Sequence, residues 1–335
     1  MTKLVECVPN FSEGRDSEII SAIAQSIRGV KSVRLLSVEP DGDYNRVVVT
    51  FVGEPEAVGD AAFEAASTAA RLIDMRRHKG EHPRIGATDV VPFIPVSNVT
   101  MEECVGLARR VGKRIGEELR IPVYLYEAAA TAPERKNLST IRKGEYEGLG
   151  DKLSDPAWKP DFGPLTVNPG SGATVVGARQ FLIAYNVNLN TDSRDLAHAI
   201  ALKIRESGRT VKDSSGNQVK IPGSLKSVKA MGVVLERLHI AQVSMNLTNY
   251  HETPPHVAFE EVRREAEKLG VSVTGSEIVG LIPKEALLLA GSFYHTQGGD
   301  SAGEEELIGR AVTALGLSQI EPFDPRKKII ENLIA

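Results

Sequence analysis

Residues 85–95 read IGATDVVPFIP, and residues 273–283 read VTGSEIVGLIP. Each places a glycine, a small hydroxyl residue and an acid ahead of a short apolar run that closes on Ile-Pro. A run of that length with such punctuation reads as a buried strand. Outward from these two runs the chain keeps matching itself. KLVECVPNFSEGRDSEIISAIAQSIR (3–28) and FLIAYNVNLNTDSRDLAHAIALKIR (181–205) both open on an apolar run that reaches an asparagine, Asn10 or Asn188. A turn rich in helix-starting residues follows in each, then a helix-period stretch ending Ile-Arg. SVRLLSVEP (32–40) and RVVVTFVG (46–53) flank the chain-reversing turn DGDY, while VKAMGVVLE (228–236) and AQVSMNLTNY (241–250) flank a shorter connection. Helix patterns come next at 54–72 and 255–269, and a last helix is expected at 101–119 and 304–317.

Several elements matched in one order indicate a duplication. The order strand, helix, strand, strand, helix, strand predicts an α+β fold: an internal duplication of two ferredoxin-like α/β sandwich subdomains, with a ligand cleft between them if their sheets face each other. A Rossmann arrangement fits less well, because no GxGxxG follows the first strand and paired middle strands break the alternation. The expected boundaries are 1–180, including an irregular connecting segment at 121–180, and 181–335. Within that segment VYLYEAAAT reads as a strand. Trp158, Phe162 and Leu165 argue that the rest is laid against something rather than loose.

Composition excludes several classes of function. The 335 residues carry 40 basic and 44 acidic side chains, a net charge of -4 with no basic excess for nucleic acid, although an anionic small molecule needs only a local basic pocket. Cys7 and Cys104 form no disulfide framework or metal pattern and read as buried thiols. There is no span-length apolar segment and no secretory layout at the N-terminus, so a cytosolic protein without membrane contact is expected.

The densest chemistry lies in HKGEHPRIG (78–86). Pro83 and Gly80 rule out the helix that a two-histidine zinc clamp requires, so no metal site is expected. A loop feeding a strand remains, with His82 pinned by Pro83 and flanked by Glu81 and Arg84. An imidazole there can exchange protons near neutral pH, though a charged surface loop has the same composition. In DGDYNR, Asp41, Asp43 and Arg46 can orient a substrate and pair with a carboxylate, or simply make a hairpin turn with a surface ion pair. GPLTVNPGSGA (163–173) can cradle an anionic or heteroaromatic ligand or serve as a linker. It lacks P-loop residues. Arg142 and Lys143 in TIRKGEYEG either line a basic approach or are solvated. His198, His239, His251, His256 and His295 show no ligand spacing.

CVPNFSEGR, DGDYNR, IDMRRHKGEHPRIGATDVVPFIPV, IRKGEYEGL, PDFGP, GATVVGARQFLIAYNVNLNT and GSEIVGLIPKEALLLA together resemble the glutamate formiminotransferase family over nearly the whole chain. The resemblance implies two ferredoxin-like subdomains in one chain with a folate-binding groove or tunnel between them, and a homodimer. It also implies transfer of a formimino group from N-formimino-L-glutamate to N5 of tetrahydrofolate, with or without a polyglutamate tail, in histidine degradation, without a metal. The family's catalytic histidine falls on His82. Its folate segment falls on Gly163, Pro164, Leu165, Thr166, Val167, Asn168, Pro169, Gly170, Ser171 and Gly172. Asp41, Arg46, Arg84 and Asn10 are the expected contacts to the small anionic substrates. Where the family pattern reads DHNR, this chain has Tyr44.

Overall fold

Pro9 splits the first strand into β1 (Leu4–Cys7) and β2 (Asn10–Phe11), and the N-terminal sheet is built around that break. The structure is a computed structural model that describes residues 3–42, 44–80, 82–213, 216–235, 238–295 and 302–334. The chain divides into two compact units, residues 1–180 and 181–335.

In the first unit, α1 (Ser17–Arg28) follows β2, then β3 (Val33–Asp41), β4 (Arg46–Gly53), α2 (Pro55–Leu72), β5 (Thr88–Ser97) and α3 (Met101–Glu118). Asp16 caps helix α1, accepting from the backbone N–H groups of Glu18 and Ile19. Ile20, Ile23, Ala24 and Ile27 form the buried stripe of α1 at helical spacing. Thr100 and Glu103 close a reciprocal capping box on α3. Helix α2 ends at Leu72, where the pattern at 54–72 placed its end, and Ile73 is already extended.

β5 tolerates Pro92 because of the break opposite it. Its register runs from Cys7–Phe93 on one side of the break to Asn10–Val90 on the other. The missing N–H of Pro92 therefore faces a place where the ladder is interrupted. The sheet order is β3, β4, β1/β2, β5 for these antiparallel strands.

The segment after α3 extends the sheet. β6 (Val123–Glu127) was expected; β7 (Thr174–Ala178), which inserts parallel between β5 and β6, was not. Alternation along β6 shows what the segment does. Val123 and Leu125 join the helix-side core, whereas Tyr124 and Tyr126 join a second core on the other face with Ile141, Leu149 and Leu153. The last three come from α4 (Leu138–Arg142) and α5 (Leu149–Ser154). Burying each such side chain stabilises by roughly 1.5–3 kcal/mol, enough to hold short helices that would not persist alone. Trp158 and Phe162 do pack against these cores, but Leu165 is 56% exposed.

The second unit runs β8 (Ile183–Leu189), α6 (Arg194–Ile204), the hairpin β9 (Arg209–Lys212) and β10 (Gln218–Ile221), β11 (Val228–Leu235), β12 (Ile240–Leu247), α7 (Pro255–Glu267) and β13 (Val273–Val279). Its sheet order is β11, β12, β8, β13, all antiparallel. The β9–β10 hairpin was not anticipated. Nor was α8 (Lys284–His295), which directly follows the 273–283 run and takes the position in chain order that α3 has in the first unit. The helix expected at 304–317 is α9 (Glu304–Ala314). Cys7 and Cys104 are buried free thiols. Among the described residues, no helix is long and apolar enough to cross a membrane.

Candidate active site

His82 lies half-buried beyond the end of α2, in the loop that leads into β5. Its neighbours come from three segments. Tyr44, from the β3–β4 turn, stands edge-on to its ring with centroids 6.4 Å apart and an interplanar angle of 79°. His78 and Arg84 belong to its own loop, and Arg142 closes α4. Burial pushes the His82 imidazole down to about 3, with Arg142, Arg46, His78 and Arg84 adding repulsion in that order. The ring is therefore neutral at pH 7. Glu81 and Asp43 lie outside the described residues.

His78 has a different role. Arg84 Nε donates to His78 Nδ1 at 3.2 Å, so His78 Nε2 carries the proton and donates to the carbonyl oxygen of Asn45 at 2.9 Å. Asn45 was not singled out in the sequence. Its backbone is left-handed, with φ 49°. Its side chain accepts from Gly14 N–H at 3.0 Å and donates to the Lys79 carbonyl at 2.9 Å. An asparagine in an Asp/Gly turn is the one visible signal, since asparagine tolerates that conformation and bonds locally. Gly80 lies against the same turn, where an added Cβ would stand 2.3 Å from the Tyr44 carbonyl oxygen.

The basic residues divide into two kinds. Arg84, expected at a substrate carboxylate, is 5% exposed and already engaged. It donates to Glu145 at 2.8 Å and to both Glu147 oxygens at 2.7 and 2.8 Å, besides its bond to His78. It ties the loop to residues 145–147, where Tyr146 N–H also donates to the Arg84 carbonyl at 2.9 Å. Arg46 and Arg142 differ: the buried Nε of each has no hydrogen-bond partner. Leaving such a donor unmade costs about 1–3 kcal/mol. Burial lowers the Arg46 guanidinium below its usual value, and Asp41, its ladder partner, opposes that shift while Arg142 adds to it. Arg142 pairs with Asp89, whose Oδ1 accepts from Ile85 N–H at 2.9 Å. Burial raises the Asp89 carboxyl against the pull of Arg142.

Asp41 Oδ1 accepts from Tyr44 N–H at 3.0 Å, shaping the turn. Asn10 pairs across the sheet with Val48, and directly opposed residues share a face. It therefore faces the same side as Arg46, two residues along β4. Asn188 differs from its counterpart. It is fully buried, bonded to Gln319 at 2.6 Å and Gln242 at 2.7 Å.

The 163–172 segment is bound to the His82 loop at one end only. Gly172 bridges Gly86, Ala173 N–H donates to the Ile85 carbonyl at 2.9 Å, and Ala87 N–H to that of Ser171 at 2.9 Å. Asn168 caps the final turn through its Oδ1, which accepts from Ser171 N–H. An added Cβ on Gly172 (φ 67°) would meet the Ile85 carbonyl oxygen at 2.2 Å, so only glycine fits this crossing. The other end, Gly163, packs on Gly116 and Ile121. Between them Leu165 and Thr166 are exposed. Among the described residues no group of three His, Cys, Asp or Glu could hold a metal ion.

This arrangement has relatives. A family model described as "Formiminotransferase domain, N-terminal subdomain" matches residues 4–179, and one described as "Formiminotransferase domain" matches 184–335. The chain is 51% identical over its whole length to a formimidoyltransferase-cyclodeaminase of Dictyostelium discoideum, of which it covers 61%. It is 42% identical to a glutamate formimidoyltransferase of Streptococcus pyogenes serotype M1, covering 99% of each chain. A glutamate formimidoyltransferase of Thermoplasma acidophilum is 48% identical over 87% of this chain and 92% of its own.

Proposed function

The chain belongs to the formiminotransferase domain family, and we propose that it transfers a formimino group from N-formimino-L-glutamate to N5 of tetrahydrofolate, releasing L-glutamate, in histidine degradation. The structural observation that carries this reading is a neutral, half-buried imidazole set among guanidinium groups. It stands in a chain that matches a protein named glutamate formimidoyltransferase over nearly all of both lengths.

The donor brings an amidinium carbon and carboxylates, and tetrahydrofolate brings a secondary amine. His82 takes the N5 proton as the new C–N bond forms. It then gives that proton to the glutamate nitrogen as the old C–N bond breaks, so the imidazole ends as it began. General base followed by general acid catalysis of this kind contributes about 10²–10⁴-fold. An imidazole held at about 3 is a weak base. Carboxylates arriving beside Arg46 offset the positive field and raise it toward the working range. Arg84, locked by Glu145 and Glu147, holds the loop in place rather than meeting substrate. Asp41 orients Arg46, and Asn10 lines the same sheet face.

The same proposal takes residues 1–180 and 181–335 as two ferredoxin-like subdomains from one duplication, with 121–180 as the connecting segment and folate in a cleft between them. The shared strand order supports the duplication. Residues 163–172 would hold folate, polyglutamylated or not. A homodimer acting in the cytosol without a metal completes the proposal.

The test is turnover by the purified full chain with formiminoglutamate and tetrahydrofolate, following 5-formiminotetrahydrofolate and glutamate together. His82→Ala should lose about 10²–10⁴-fold in kcat with its fold intact. A folded His82→Ala protein with near-normal turnover would sink the assignment.

A further inference from the structure

We infer that Arg142 is a substrate-binding residue: held from behind by Asp89, it receives the α-carboxylate of the glutamate donor beside His82. This rests on the formimino-transfer reading and names the part of the donor that one residue recognises.

Arg142 terminates α4, a five-residue helix in the segment that covers the second face of the sheet. One end of its guanidinium is fixed by Asp89, which is 1% exposed and anchored in turn by Ile85 N–H at 2.9 Å. That anchor lies three residues past His82, so the pair ties Arg142 to the same loop. The Nε of Arg142 is buried and has no partner, and so is that of Arg46. The two guanidinium groups repel each other, and Arg142 is also the charge that acts most strongly on His82. Two cations within reach of each other's field, each with an unmade buried donor, suit an anion, and a carboxylate matches the planar donor fork of arginine.

Geometry of the donor selects which carboxylate. The nitrogen that leaves, and that His82 protonates, is bonded to Cα, and the α-carboxylate is attached to that same carbon. A group close to His82 therefore meets the α-carboxylate rather than the distant γ-carboxylate. Binding there also removes part of the repulsion that Arg142, Arg46, His78 and Arg84 impose on His82. The substrate thus prepares its own base. Among the described residues Tyr44, edge-on to His82 and 5.8 Å from the Arg46 guanidinium, and Asp41, opposite Arg46 in the ladder, are further titratable groups on this side.

The experiment compares two ligands of the full-length protein by calorimetry. L-Glutamate has the α-carboxylate, while γ-aminobutyrate keeps the amine and the other carboxylate but lacks it. Wild-type protein should prefer L-glutamate, and Arg142→Gln should abolish that preference. The variant should lose about 10- to 100-fold in glutamate affinity, with γ-aminobutyrate changed less than about twofold. The KM for the donor should rise by the same factor while that for tetrahydrofolate holds, and Arg142→Lys should recover part of the loss. Because Arg142→Gln strands the Asp89 carboxylate, the double variant Asp89→Asn/Arg142→Gln is measured alongside and should show the same selective loss. In NMR titrations without ligand, the double variant should raise the His82 pKa, and glutamate should no longer shift it further. Equal weakening of both ligands, no weakening, or a wild-type protein without preference overturns the inference. A protein that binds glutamate through Arg142 yet transfers nothing overturns only the transfer reading.

Discussion

Asn45 and His78 interlock: His78 Nε2 donates to the Asn45 carbonyl at 2.9 Å, and the Asn45 side chain reaches past it to the Lys79 carbonyl, also at 2.9 Å. The β3–β4 turn and the His82 loop are thus fastened to each other. Asn45→Ala removes both side-chain bonds and the residue best suited to φ 49°. The expected cost is about 1–3 kcal/mol in denaturant unfolding. A larger fall in kcat than in donor affinity should accompany it, because His82 loses its support.

Stability should depend on pH through His82. Its folded pKa, about 3, lies below its usual 6.5, so between these values the unfolded chain binds more protons. Stability then rises with pH across that window and is lost as pH falls through it. His78 shifts in the same direction. His82→Gln should flatten the dependence of Tm on pH between about 6.5 and 4 relative to wild type. Identical slopes for the two proteins would show that His82 is not depressed.

The two kinetic pH profiles should separate. The kcat/KM profile reports the free enzyme, where His82 stays neutral well into acid, while kcat reports the complex in which bound carboxylates offset the arginines. The acid limb of kcat should therefore lie at higher pH than that of kcat/KM. Superimposed acid limbs would contradict a base tuned by its substrate.

Arg84→Gln distinguishes a fastening from a substrate contact. With its guanidinium committed to Glu145, Glu147 and His78, its loss should cost about 1–3 kcal/mol in stability, discounted because both glutamates are partly exposed. Donor KM should change less than about threefold in the folded variant, below the roughly tenfold expected for a lost charged hydrogen bond. A selective tenfold rise in KM without destabilisation would restore Arg84 as a carboxylate contact.

Gly172→Ala forces a Cβ to 2.2 Å from the Ile85 carbonyl oxygen at a positive φ. Such a contact requires backbone movement, so the variant should lose about 1–3 kcal/mol of stability or more. The displaced loop should weaken tetrahydrofolate more than donor, measured as separate KM values. Unchanged folate KM in the folded variant would argue that residues 163–172 do not contact it.

The sequence was most legible where local pattern and burial agree. The 85–95 and 273–283 runs are strands because their apolar stretches are bounded by turn-forming residues, and β5 and β13 begin within them. Pro83 excluded a helix from the His82 loop by backbone geometry alone, and the Asp/Gly cluster marked the β3–β4 turn. β7 was illegible for the opposite reason. TVVGA is short, follows a Gly/Pro-rich loop and is stabilised by parallel partners far away in sequence. Helix α8 escaped because its apolar content does not form one clear stripe.

Alone, the amino-acid order determined the strand and helix succession that the two halves share, the loop that carries His82, and a family resemblance specific enough to indicate the chemistry. Tertiary structure decided which charges meet. Arg84 and Arg142 look alike as residues in charged stretches, yet one is spent on Glu145 and Glu147 while the other, paired with Asp89, keeps an unmade donor and adds to the positive field on His82. That difference depends on long-range packing of residues 138–153 across the second sheet face. Electrostatic roles follow distance and desolvation, and neither quantity is local in sequence.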